Sequence, residues 1–279
     1  MIRKIRNIRT AVPTLEGAGV HLHRAFGYHQ SPDYDPFLML DDFRNDDPQN
    51  YLAGFPWHPH RGIETITYML LGSAEHKDSL GNSGTIHKGE VQWMTAGRGI
   101  IHQEMPKPDA DGKMYGFQIW TNLPATEKMC PPRYRDLRAK DIPVVHSPEG
   151  SEVKIISGEY LGIRGALEDI YIKPQYWDLK IPADTMQRID TPQGFTCFIY
   201  VYEGSLSIEQ KEIHDRQLVL FEDGDEVCLC TKTSACRMLF LCGKPLKEPI
   251  SWRGPIVMNT AEEIKLAFQE LERGTFIKA

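Results

Sequence analysis

The chain has 279 residues, of which 41% are hydrophobic and 25% charged, and a formal net charge of −6. That composition describes a globular protein able to bury a core rather than a disordered one. The acidic balance argues against docking on nucleic-acid phosphates, and no apolar run is long enough to cross a membrane as a helix.

The opening segment, Met1-Ile2-Arg3-Lys4-Ile5-Arg6, is basic and serine-poor, so it reads as a first strand rather than a leader or transit peptide. His21-Leu22-His23 places two imidazoles on one strand face, with nothing nearby to complete a site. Strand signals follow at Phe37–Leu40, Glu64–Leu70, Val91–Met94 and Tyr115–Trp120, all short, apolar and rich in β-branched or aromatic residues. The chain holds 19 prolines and 23 glycines, enough turns for an all-β fold. Residues 123–143 carry Pro124, Pro131, Pro132 and Pro143 among many charges and read as a linker. A second β-rich half begins beyond it, with strands expected at Trp177–Ile181, Thr196–Tyr202, Gln217–Phe221 and Arg237–Leu241. The tail changes period. Thr260 with Glu263 makes a capping box, Ile264, Ala267, Phe268 and Leu271 share a helical stripe, and Gly274 is placed to end it. The expected organisation is a barrel over residues 1–135 and a second over 136–279 that ends in a helix at about 260–273.

Six cysteines are present without a Cys-x-x-Cys, which fits reduced thiols in an intracellular compartment. Cys228-Leu229-Cys230 reads as two core thiols on one strand face.

The most informative residues are His58-Pro59-His60 and His102-Gln103-Glu104. Each motif sets two metal-binding side chains at i and i+2, on one face of a strand. Two such strands facing each other inside a barrel deliver three imidazoles and one carboxylate to a point, with room for a substrate or O2. A buried carboxylate at Glu104 is costly unless paired, and a cation would pair it. The absence of thiolate disfavours a structural zinc site. Glu64, four residues after His60, is a candidate fifth ligand or a hydrogen-bond partner of a ligand imidazole, with Arg61 as its counter-ion.

The string His58-Pro59-His60-Arg61-Gly62-Ile63-Glu64-Thr65, together with Gln92–Glu104, closely resembles the pirin family of the cupin superfamily. Asp35–Phe43, Gly116–Pro124 and Val257–Thr260 extend the likeness over nearly the whole chain. The resemblance implies an all-β bicupin: two antiparallel, jelly-roll-like β-barrels and a short C-terminal helix, with metal in the N-terminal barrel only. Carried over position by position, the ligands are His58, His60, His102 and Glu104, and Glu64 moves outside the ligand set. Trp57 departs from the smaller or polar residue expected before the first ligand and would narrow the cavity.

Some pirins act as quercetin 2,3-dioxygenases. The resemblance therefore implies oxidative ring opening of a flavonol-like aromatic substrate by O2, with release of carbon monoxide. Glu104 would take the substrate proton, and Phe55, Trp57, Met94, Phe117 and Gln118 would line the pocket. The implied cofactor is one divalent transition metal, Fe(II) first, then Mn, Co, Ni, Cu or Zn. The alternative is a redox-sensing regulator that binds a protein partner such as a transcription factor or metabolic enzyme. No nucleic acid or membrane is expected as a direct partner, and the expected location is the cytoplasm, with the nucleus added in a eukaryote.

Overall fold

The computed structural model describes residues 1–278, and its regular structure is mainly antiparallel β-sheet. The chain divides into two units. One comprises Pro13–Pro32, Phe37–Ala139 and Leu246–Ala279, and the other Met1–Val12, Asp33–Pro36 and Lys140–Pro245. These are not the contiguous halves expected from the sequence. The Ile5–Thr10 strand pairs with Gln217–Phe221, so the first strand completes a sheet of the later unit. The tail returns the other way: Ile256 bridges Arg61, and the helix Ala261–Glu272 belongs to the unit that carries the histidine motifs.

Both units repeat one plan, a seven-stranded sheet and a four-stranded sheet. In the first unit the large sheet runs Arg133–Leu137, Val91–Thr95, Ile63–Leu71, Tyr115–Asn122, Phe37–Asp42, Val20–Phe26 and Val12–Glu16. Its small sheet runs Phe55–His60, Ile100–Lys107, Ser73–Asp78 and Ser83–Ile86. The small sheet is half-solvated: Ile100–Lys107 and Ser73–Asp78 each alternate buried side chains with half-buried or exposed ones. The central strands Phe37–Asp42 and Val91–Thr95 are buried throughout.

The second unit has an apolar interior of residues such as Trp177, Ile199, Val219, Leu229 and Phe240. Cys228 and Cys230 are half-buried on either side of the buried Leu229, so they face away from that interior and are not the core thiols expected. None of the six cysteines is in a disulfide among the described residues.

The segment read as a linker contains an edge strand, Arg133–Leu137, paired with Val91–Thr95. Its charged, half-exposed residues gave no apolar pattern to find. The C-terminal helix has the expected capping box, with the Thr260 hydroxyl accepting from the Glu263 N–H and the Glu263 side chain accepting in return. Ile264 and Ala267 are its buried residues, clustered with Ile256, Met258 and Phe276. Among the described residues no helix is long and apolar enough to cross a membrane.

Candidate metal centre

His58 and His60 sit on Phe55–His60, and His102 sits on the neighbouring strand Ile100–Lys107. The strands do not face each other across a barrel; they are hydrogen-bonded neighbours in one sheet, with His102 opposite His58 and Ile100 opposite His60. Opposed residues share a face, so one strand pair suffices to gather all three rings. The turn after His60 depends on Gly62, at φ +76°, where a Cβ would lie 2.0 Å from the Val257 carbonyl oxygen. Gly97, at φ +48°, is equally confined against the Cys130 carbonyl, and its own carbonyl accepts from the Gly62 N–H at 2.8 Å.

The ring centroids lie 4.8 Å apart for His58 and His60, 4.4 Å for His58 and His102, and 5.0 Å for His60 and His102. One ring nitrogen from each falls within 4.8 Å of the others. His58 Nδ1 is 2.8 Å from the Pro56 carbonyl, and His60 Nδ1 is 3.2 Å from the Pro255 carbonyl. A carbonyl only accepts, so both Nδ1 atoms are the protonated ones, and each Nε2 keeps its lone pair. Burial, and then the neighbouring imidazoles, hold His60 and His102 well below the usual imidazole range. Both rings are therefore neutral near pH 7.

His102 is 1% exposed, and neither of its ring nitrogens has a hydrogen-bond partner. An orphaned buried polar atom is uncommon and asks for a cause. A divalent transition metal supplies one, since neutral imidazoles are its ordinary ligands. The residues present fit such an ion.

Glu104 lies two residues beyond His102, past an irregularity in register that sets it opposite Phe55. It does not join the set of three ligand atoms. Its buried carboxylate accepts from Thr67 Oγ1 at 3.2 Å and from Gln118 Nε2 at 3.1 and 3.3 Å. Glu64 is fully buried in the large sheet and accepts from Thr95 Oγ1 at 2.7 Å. Its hydrogen bond goes to Thr95 rather than to a ligand imidazole, because the turn at Gly62 interrupts the strand alternation between His60 and Glu64. Burial raises its carboxyl, opposed by that hydrogen bond. Arg61 pairs instead with Glu270 at 2.7 Å and lies over the Phe276 ring.

The imidazoles of His58 and His60 and the Glu104 carboxylate border a cavity of about 710 Å³, within the ordinary range for small-molecule sites. Phe55 and Gln118 line it. Trp57 does not: it points outward, 54% exposed, and cannot narrow the site. Met94 and Phe117 are absent from the lining because both are consumed in packing, at 1% and 0% exposure. The aromatic wall is made instead by Tyr28, Trp120 and Trp252, with Leu22, Met39, Met69 and Met114 completing an apolar pocket. Arg24 and Asp41 form a bidentate pair at its border, at 2.8 and 2.7 Å. Sequence reasoning missed Tyr28, Trp252 and the Pro255 carbonyl. They arrive from segments without a motif of their own.

The profile of the Pirin family matches residues 19–121, and that of the Pirin C-terminal cupin domain matches residues 176–277. A Pseudomonas aeruginosa protein carrying the provisional name quercetin 2,3-dioxygenase is 44% identical over 279 residues, covering 98% of this chain and 97% of that protein. Pirin of Homo sapiens is 38% identical over 260 residues, covering 90% and 86%. A crystal structure named quercetin 2,3-dioxygenase from Acinetobacter baumannii superposes with a TM-score of 0.91 at 33% identity, covering 99% of both chains.

Proposed function

The chain belongs to the pirin family, and from that premise we propose that it is a metal-dependent dioxygenase opening the ring of a flavonol-like substrate. The observation that carries this reading is His102, whose two buried ring nitrogens lack partners beside a pocket with an aromatic wall. His58, His60 and His102 would hold the ion, with Glu104 as the fourth ligand in the resting site. A divalent transition metal, Fe(II) first among candidates, would bind the enolic oxygen of the substrate and couple its electrons to O2. The overall reaction consumes one flavonol and one O2 and yields a depside and carbon monoxide.

The protein's own residues do the rest. The Pro56 and Pro255 carbonyls fix two imidazoles in one tautomer, which aims their Nε2 lone pairs. Glu104 accepts the hydroxyl proton of the entering substrate. Thr67 and Gln118 hold that carboxylate in place and spread its charge. Trp120, Trp252 and Tyr28 supply flat, apolar surface for a planar aromatic ligand. Six cysteines without a disulfide among the described residues are compatible with a reducing setting.

The test is metal analysis of the purified protein, followed by aerobic turnover of quercetin after reconstitution with Fe, Mn, Co, Ni or Cu. Carbon monoxide should appear with at least one metal and be lost in His102→Ala. Absence of turnover with every metal would overturn the reading.

A further inference from the structure

We infer that Trp120, Trp252 and Tyr28 form a one-electron relay from the histidine cluster to the protein surface. The rings stand in series. The His60 ring centre lies 5.0 Å from that of Trp120, edge-on at 88°. Trp120 lies 5.9 Å from Trp252, and Trp252 lies 5.5 Å from Tyr28. Every spacing is one at which aromatic rings touch. The two tryptophans are half-buried, and Tyr28 is 57% exposed. A wall that only stacks a substrate needs rings facing the cavity. It does not need each ring to touch the next, the first to touch a candidate ligand, and the last to reach water.

Indole and phenol are among the side chains that give up a single electron most readily, and their surroundings here set where the charge rests. Trp120 Nε1–H donates to Gln118 Oε1 at 3.1 Å, and Gln118 in turn donates to the Glu104 carboxylate. The anion one residue away favours a positive charge on Trp120. Trp252 Nε1–H donates to the Gly254 carbonyl at 2.7 Å. Amide oxygens are too weakly basic to take an indole proton, so the tryptophans pass electrons while keeping their protons. Tyr28 alone can release its hydroxyl proton to solvent and end as a neutral phenoxyl radical.

The step balances with a peroxide as oxidant. An Fe(II) held by the three histidines would supply one electron to hydrogen peroxide and Tyr28 the other; with the tyrosine proton and one from solvent the peroxide would leave as two waters. The electron from Tyr28 travels inward through Trp252 and Trp120. A soluble thiol then returns a hydrogen atom to Tyr28. The relay would thus discharge oxidising equivalents that arise without substrate, sparing the histidines. It rests on the metal reading of the site and not on the flavonol reading.

The experiment uses the full chain loaded with Fe(II), without flavonol. Iron content is measured first; the protein is then mixed with hydrogen peroxide and frozen for electron paramagnetic resonance. A tyrosyl radical is expected in the parent protein. It should be lost at equal iron content in Tyr28→Phe and in Trp252→Leu, and retained in Trp252→Tyr, which keeps a redox-active ring. In Trp252→Leu, peptide mass spectrometry should find oxidation moved to Trp120 and the histidines. A tyrosyl signal that persists in Trp252→Leu, or an iron-loaded parent without a protein radical, overturns the relay and leaves the metal reading standing. A parent protein that retains no iron overturns the relay and Fe(II) as the ion of the site.

Discussion

His102 shows most plainly how one residue carries opposite consequences for stability and function. Without metal, its two buried nitrogens have lost water and gained nothing. Replacing it by leucine removes that penalty, so metal-free His102→Leu should gain about 1 kcal/mol over the metal-free parent. The same variant should lose metal retention. Urea midpoints and metal content after dialysis give the two readouts, and a destabilised metal-free variant would count against the orphaned-nitrogen argument. The pH response follows from the same burial. His60 and His102 are held well below the ordinary value of 6.5, while the unfolded chain titrates near it. Below about pH 6.5 the unfolded chain therefore binds more protons than the folded one, and stability falls with falling pH. The contribution is fully present above that value. Urea midpoints of the metal-free protein at about pH 8 and about pH 5.5 should fall in that order; a flat or rising trend would contradict it. The clustering of the three histidines was legible in the sequence because alternation places i and i+2 on one face; Glu104 lies past a register irregularity and outside that cluster. Glu64 misled because the same rule was carried across the turn at Gly62, where it does not hold.

At the scale of elements, the hairpin of Ser251–Arg253 and Ile256–Met258 does most to finish the site. It delivers the Pro255 carbonyl to His60, and Trp252, Gly254 and Pro255 to the cavity lining. Lys128 ties it down. Its buried Nζ donates to the carbonyls of Gly62 at 2.8 Å and Val257 at 2.9 Å, and to Asn122 Oδ1 at 2.7 Å. Burial pushes its ammonium down to about 7, but three acceptors match the three N–H bonds of the charged form. Lys128→Met would take a donor from all three oxygens, leaving Gly62 only the long bond from the Leu123 N–H at 3.4 Å, and should cost about 2–3 kcal/mol, with weakened metal retention because the turn after His60 loosens. Equilibrium unfolding and metal titration check the pair of effects, and loss of stability at full metal affinity would refute the coupling. Strand existence was readable wherever apolar runs were local. Strand ends were not: Phe37–Asp42 extends through Asp41 and Asp42, buried acids whose charge is met by Arg24 and Arg44. Arg133–Leu137 was hidden for the converse reason, since an edge strand is polar on its outer side.

At the scale of the whole molecule, sequence order and unit membership diverge. The fragment 1–139 lacks Pro255 and Val257, and the fragment 140–279 lacks the Ile5–Thr10 strand and Arg3, whose guanidinium makes four hydrogen bonds at 2.7–3.0 Å. Neither fragment should fold cooperatively by itself, whereas co-expression should recover a soluble pair; circular dichroism and urea melts of each fragment decide it. No local pattern could have shown this, because pairing partners more than 200 residues apart leave no mark on periodicity. The same arrangement has a consequence for biosynthesis. The carbonyl that orients His60 lies 195 residues further along the chain. A ribosome-bound nascent chain extrudes all three histidines long before it can immobilise the second. Metal capture by the ordered site would accordingly be a late event, gated by translation of the terminal hairpin. Products of premature termination would expose the same imidazoles as loose, unselective chelators.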